Sequence, residues 1–329
     1  MTRIRGFLRV AAALAAGLMV YPAFASDYPT RAITVVVPYA AGGPSDIAIR
    51  SISDRLSQSL GQPVIIENAA GAGGMTGAAR VARAAPDGYT LLLHQNGLVI
   101  SPALSPNPPL DVARDLTAIG MVNSSYLFLV GSTNIPAKNL PDLVTWMRGP
   151  GKPAKIAHPG LGSLAHLQAV LFAKAVGADA TFVGYRGGGQ AMNDIVGGHA
   201  DLVFAAPPTS APLIEAEKIR GFGYAAPKRY PSLAAMPTLS EGGVANLDLR
   251  LWQGLFAPGR TPKPVIDRVN AALRETLADE KVKATYLQNG VEAFSSDEMS
   301  PEAANNLVLS ELEKWRTVII EQKIAIDGN

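Results

Sequence analysis

The chain has 329 residues, 48% of them hydrophobic and only 6% aromatic, and no cysteine. Its 29 Lys and Arg include Arg3, Arg5 and Arg9 in the first 25 residues, which hold no acid, so residues 26–329 carry 26 basic against 27 acidic side chains, a net charge of −1. That balance, with no Lys/Arg block, excludes the electrostatic footprint of a nucleic-acid binder, and the lack of cysteine excludes a disulfide framework, thiol chemistry and a lipid anchor on sulfur.

In chain order, the first element is an export signal at residues 1–25. The three arginines form a positive start, Val10 to Val20 is an apolar run, and Ala23-Phe24-Ala25 fits the small-x-small cleavage pattern. The run is too short to span a bilayer. Ile4 separates Arg3 from Arg5, so the arginines are not a twin pair and the general export route is expected. The mature chain is expected free in the periplasm, with no membrane insertion. Roughly 300 residues remain, more than one core usually holds, so two domains are expected.

From Ile33, short β-branched runs alternate with helix-length segments. Ile33 to Val37 reads as a strand, then a helix to Leu60, a strand at Val64 to Ile66, a helix ending near Ala84 and a strand from Tyr89 to Leu93. The pattern restarts after Val122, with strands at Leu127 to Val130, Lys155 to Ala157, Thr181 to Tyr185 and Leu202 to Ala205. Helices are predicted between them at Leu140 to Met147, Ser163 to Ala175 and Gln190 to Val196. Apolar runs without polar alternation indicate strands buried on both faces, hence parallel sheets flanked by helices. A loop-rich stretch up to Leu249 precedes a strand at Trp252 to Ala257. Thr261-Pro262 opens a helix that Gly290 can stop, and Ser300-Pro301-Glu302 opens another, with Leu307, Leu309, Leu312, Trp315, Ile319 and Ile320 as its packing face.

In open parallel sheets, ligands collect where strands lead into helix N-termini, whose free N–H groups and dipole favour anions. Tyr39, Ala40, Ala41, Gly42, Gly43 and Ser45, directly after the first strand, fit that role; Ser45 and Asp46 are also candidate helix caps, and the stretch equally fits an ordinary strand-to-helix turn. The glycine-rich Ala69 to Gly77 follows the second strand. His94, Gln95 and Asn96 end the third strand as candidate ligand contacts. In the second domain, His158, Gly160, Leu161, Gly162, Ser163 and His166 surround a strand-to-helix turn, Tyr185 and Arg186 lead into another glycine turn, and Ala205-Ala206 ends a strand with room for a ligand.

Gly160, Gly162 and Ala165 match G-x-G-x-x-A, but Tyr185-Arg186 stands where the ribose-binding acid belongs, so an anion loop of the same geometry is preferred to a dinucleotide site. Residues 160–164 are not a G-x-S-x-G nucleophile elbow. The four histidines form no metal-ligand motif. The competing functional class is an exported α/β enzyme, either a hydrolase using Ser163 or a nucleotide-dependent oxidoreductase at Gly160 to Ala165. Neither a cofactor nor a metal is expected.

Several spaced motifs resemble a Bug-type receptor, the extracytoplasmic solute-binding (TctC-like) component of the tripartite tricarboxylate transporter family. They are Tyr28-Pro29 with residues 33–46; Val64-Ile65-Ile66-Glu67-Asn68 and its glycine-rich sequel; Pro86-Asp87-Gly88-Tyr89-Thr90-Leu91; Gly162-Ser163 with His166-Leu167; Tyr185-Arg186-Gly187-Gly188; Gly197-Gly198 with Asp201; and Gly254-Leu255-Phe256-Ala257-Pro258 with Thr261-Pro262. The resemblance covers nearly the whole mature chain. It implies an α/β fold of two Rossmann-like lobes joined by a hinge, the type II periplasmic binding protein or Venus flytrap architecture. Residues 26–126 and 250–329 form domain 1 in this reading, and 127–249 domain 2. It also implies a monomer that holds a small carboxylate (dicarboxylate, tricarboxylate or aromatic acid) between the lobes and delivers it to membrane transporter subunits. One carboxylate is expected on the loops at Tyr39 to Ser45 and Gly160 to Ser163. Selectivity is expected from His94-Gln95-Asn96 and Ala205-Ala206-Pro207.

Overall fold

The computed structural model describes residues 28–324 apart from residue 152, so the export segment read at residues 1–25 lies outside the described residues. The β-branched runs form strands β1 (Ile33–Val37) and β2 (Val64–Asn68), with β3 at Thr90–Gln95, β4 at Leu116–Ser125 and β10 at Leu251–Pro258 completing a sheet ordered β2-β1-β3-β10-β4. A second sheet, ordered β7-β6-β8-β5-β9, contains β5 (Phe128–Gly131), β6 (Ala154–His158), β7 (Ala180–Gly184), β8 (Leu202–Ala205) and β9 (Arg220–Tyr224). Eleven α-helices flank them among the described residues: α1 Pro44–Leu60, α2 Met75–Ala82, α3 Gly97–Ala103, α4 Val112–Asp115, α5 Leu140–Arg148, α6 Leu164–Ala175, α7 Gly188–Val196, α8 Pro207–Glu215, α9 Lys263–Ala278, α10 Glu280–Gln288 and α11 Pro301–Glu321.

The expectation of wholly parallel sheets is corrected at two strands. β10 runs antiparallel to β3 and β4, and β5 antiparallel to β8 and β9, while the β1–β2, β1–β3, β6–β7 and β6–β8 pairs are parallel. Both reversed strands are the first entered after the chain passes from one sheet to the other, between Ser125 and Phe128 and between Tyr224 and Leu251. A strand arriving from the other lobe starts at the end where its neighbours finish, so it runs against them. Burial on both faces fixes an apolar composition but not a direction.

The long helix α11 packs on β4 and α3 of the first sheet. Ala304, Val308, Glu311, Trp315 and Ile319 form its buried stripe, whereas Leu309 and Ile320, read as part of the packing face, are exposed. The 3.6-residue period selects the observed set, and it places an acid in the stripe. Glu311 is compatible with burial because its Oε2 accepts hydrogen bonds from Trp315 Nε1 (2.9 Å), Trp252 Nε1 (3.3 Å) and Asn96 Nδ2 (3.4 Å), and its Oε1 from Lys314 Nζ (2.8 Å). Asn96 Oδ1 in turn accepts from the Trp252 N–H at 2.9 Å, and its Nδ2 also donates to the Arg250 carbonyl at 3.2 Å. This knot fastens the returning strand β10 to the end of β3.

Candidate functional site

The loops that end β1, β3, β6 and β8 open on one crevice of about 590 Å³, counting the part open to solvent; Tyr39, Gly43 and Ser45 of the first lobe face Pro159, Ala165 and Ala205 of the second across it. Helix α1 starts at its wall. Gly43 is the N-cap and has no side-chain capping bond, Pro44 has no N–H, and Ile47 is the first residue whose amide bonds back, to Gly43 O at 3.0 Å. The Ser45 and Asp46 amides therefore lack intrahelical partners, which makes this N-terminus a donor site for an anion.

The capping role read for Ser45 and Asp46 is corrected. The Asp46 carboxylate accepts from Gly42 N, Arg50 Nε and Asn68 Nδ2, all at 3.0 Å, so it braces the loop instead. Burial raises its pKa, but the Arg50 guanidinium, the Gly42 amide and the Asn68 amide outweigh that and hold it below the ordinary carboxylate value.

In the second lobe, Ser163 is fully buried and its hydroxyl caps α6 by accepting from His166 N at 3.2 Å. His158 Nδ1 accepts from Gly160 N (3.2 Å) and His166 Nδ1 from Gly162 N (3.4 Å), with the two rings 4.5 Å apart. Burial lowers the His158 pKa to about 4; burial and the neighbouring His158 lower that of His166 to about 3. Both imidazoles are thus neutral at pH 7 and serve as acceptors. The Gly160 and Gly162 amides point inward to them, and it is Pro159 and Ala165 that border the crevice.

Of the strand-end residues after β3, Gln95 lines the crevice. His94 is fully buried behind Tyr39, with the rings edge to face at 5.7 Å, its Nδ1 accepting from Gln95 N at 2.8 Å and its pKa lowered by burial to about 4. The Tyr39 hydroxyl donates to Gly73 O at 3.1 Å, and burial pushes its pKa up. Asn96 belongs to the Glu311 knot. The Tyr185 hydroxyl donates to Asp194 at 2.6 Å; burial, reinforced by this carboxylate, pushes the phenol up to about 12. Ala205 and Ala206 line the crevice, but α8 then begins with Pro207-Pro208, so its first turn offers no amide before Thr209.

Two seams join the lobes beside the crevice. In the first, Ala40 N–H donates to Arg186 O at 3.1 Å, and a methyl group added at Gly43 would lie 3.6 Å from Gly188 N. In the second, Ser101 Oγ donates at 3.3 Å to the carbonyl of Leu161, whose side chain is half exposed, and Gly160 stands so close to Gly73 that a methyl group there would approach Gly73 Cα to 2.8 Å. Ala41 and Gly42 belong to the first seam, with Gly42 at φ +80°, and Gly162 to the second.

The rest of the lining was not legible in the sequence. Leu127 and Leu251 sit where the chain crosses between lobes, and Val203 and Phe204 are strand residues at the crevice edge. The position of the crossings would have located the first two. Among the described residues no group of three His, Asp or Glu side chains is placed to hold a metal ion, and no helix is long and apolar enough to cross a membrane.

Residues 48–324 match the family model described as "Tripartite tricarboxylate transporter family receptor". The chain belongs to that family. Among solved structures, this Bug-type receptor is similar to the periplasmic binding protein BugD, with 32% identity and a TM-score of 0.88 over 91% of this chain and 99% of BugD. It is also similar to MatC from Rhodopseudomonas palustris with bound malate, with 31% identity and a TM-score of 0.85 over 89% of this chain and all of that one. A third relative, an R. palustris protein with adipate, shares 30% identity and a TM-score of 0.86 over 91% of this chain and 99% of its own. The two sheets with their helices are therefore the two lobes of a periplasmic binding protein.

Proposed function

We propose that this TctC-family receptor captures a small carboxylate between its lobes in the periplasm, as a monomer, and delivers it to the membrane subunits of a tripartite transporter. Residues 26–126 with 250–329 form one lobe in this reading and 127–249 the other. The observation that carries it is the α1 N-terminus, whose Ser45 and Asp46 amides lack helix partners beside a crevice whose lining, among the described residues, contains no charged side chain. An anion there is held by main-chain dipoles, each charge stabilised by about 0.3–1 kcal/mol when exposed and up to about 2 kcal/mol when shielded. The relatives solved with malate and with adipate support the same ligand class.

A melting screen of the mature protein with citrate, malate, succinate, aspartate, adipate and benzoate tests it. A ligand present at one hundred times its Kd stabilises by about 2.7 kcal/mol, which shifts the melting temperature by roughly 4 °C in a chain of this size. Unchanged melting with all six at millimolar concentration overturns the carboxylate assignment.

A further inference from the structure

Three adjacent strands of the first sheet carry a primary amide at the same level. Gln253 on β10 is in register with Gln95 on β3 and with Asn123 on β4. Residues directly opposite in antiparallel strands share a face, and Gln253 Nε2 donates to Asn123 Oδ1 at 3.2 Å. All three are buried, at 9% exposure for Gln95, 3% for Gln253 and 2% for Asn123. Gln95 lines the main crevice, and Gln253 and Asn123 line a smaller hollow behind it; Pro44 and Ala206 wall both. The row therefore runs from the ligand crevice into the hollow beside it.

Among the described residues Gln253 Oε1 has no hydrogen-bond partner, and it is shut off from solvent, so only a group that enters the hollow lined by Gln253 can reach it. A buried carbonyl oxygen without a donor is costly, and a group that supplies the donor recovers that cost. We infer that the Gln95–Gln253–Asn123 row is the specificity-determining wall of the site and selects carboxylates that also bear a hydrogen-bond donor, a hydroxyl or an ammonium group. The inference rests on the carboxylate-receptor reading. Sites built to bond a substrate hydroxyl or amine reject the analogue that lacks it, because the partner is left unpaired.

The test is titration calorimetry of the mature protein with malate, aspartate and succinate, which share a four-carbon diacid and differ in the donor. Malate or aspartate is expected to bind at least about tenfold tighter than succinate, and whichever shows the preference identifies hydroxyl or ammonium as the donor. In Gln253→Met the ratio of the two Kd values falls toward one. Gln95→Met, at the crevice surface, has the same effect and carries the test should Gln253→Met not fold. Succinate binding as tightly as both partners overturns the inference, as does a ratio unmoved in the folded variants, which is the result expected if the Gln253 oxygen merely holds a structural water. Binding of adipate or benzoate with none of malate, aspartate and succinate overturns it and leaves the receptor reading intact. No binding by any of the acids overturns the receptor reading, and the inference with it.

Discussion

A methyl group added at Gly73 would stand 2.1 Å from the carbonyl oxygen of Leu161 on the facing lobe, and Gly73 has φ +63°. Gly73→Ala therefore carries two separable penalties. The left-handed backbone costs a non-glycine residue about 1–2 kcal/mol whether the lobes are together or apart, so it lowers the melting temperature. The clash exists only when the lobes meet. Its partner is a main-chain oxygen that no rotamer change can move, so the seam must spread; overpacking of this kind costs about 1–3 kcal/mol. In the proposed function the closed form holds the ligand, so affinity should fall by the same free energy, about 5- to 150-fold. Gly177→Ala is the matched control, with φ +59° and, among the described residues, nothing within 4 Å of the added carbon. Calorimetry with the best acid from the melting screen should show a weakened Kd for Gly73→Ala and a near wild-type Kd for Gly177→Ala, both variants melting lower. Wild-type affinity in Gly73→Ala, or equal weakening in both, refutes the role of this seam in closure.

Acid should destabilise the receptor well above the carboxylate range. The unfolded chain protonates its histidines near pH 6.5, whereas burial holds folded His94 and His158 neutral down to about pH 4 and His166 to about 3. Stability is complete above pH 6.5 and is lost as pH falls, by about 2 kcal/mol per histidine at pH 5. Urea midpoints should drop between pH 7.5 and 5, and less steeply in His158→Asn; a flat profile contradicts the burial argument. Glu311→Ala removes the acceptor shared by Trp252, Trp315 and Asn96 and should cost about 3 kcal/mol. Glu311→Gln should cost less, since it keeps one acceptor oxygen; a loss under about 1 kcal/mol by denaturant titration in Glu311→Ala would show that the knot does not hold β10.

The strands made of β-branched or aliphatic runs, such as β1 and β8, were legible because side-chain composition alone marks double-sided burial. β4 and β9 were not, since Thr117, Gly120, Asn123, Ser124 and Ser125 interrupt the one and Arg220, Gly221 and Gly223 the other. The same polar interruptions in β4 supply part of the amide row, so what hid the strand is what gives it chemistry. Around the crevice, glycine spacing indicated which loops gather at the strand ends. It did not reveal that the Gly160 and Gly162 amides turn inward to His158 and His166, because a hydrogen-bond partner is chosen by side-chain packing rather than by chain spacing. Leu127 and Leu251 were not read as wall residues for a related reason: the sequence placed the crossings between lobes beside them, but not the crossings beside the crevice.

Beside the crevice the lobes meet mainly along residues that have little or no side chain, Ala40 to Gly43 against Gly187 to Gly189 and Gly73 against Gly160, with the Ser101 hydroxyl on the Leu161 carbonyl as the side-chain exception there. Main chain meeting main chain makes the grip indifferent to which amino acids furnish the walls of the crevice. In the proposed function, substitutions at Gln95, Val203, Phe204 or Leu251 retune what is held without altering how the halves come together. One scaffold can thus diversify its cargo by changing a few wall positions while keeping a single mechanical stroke.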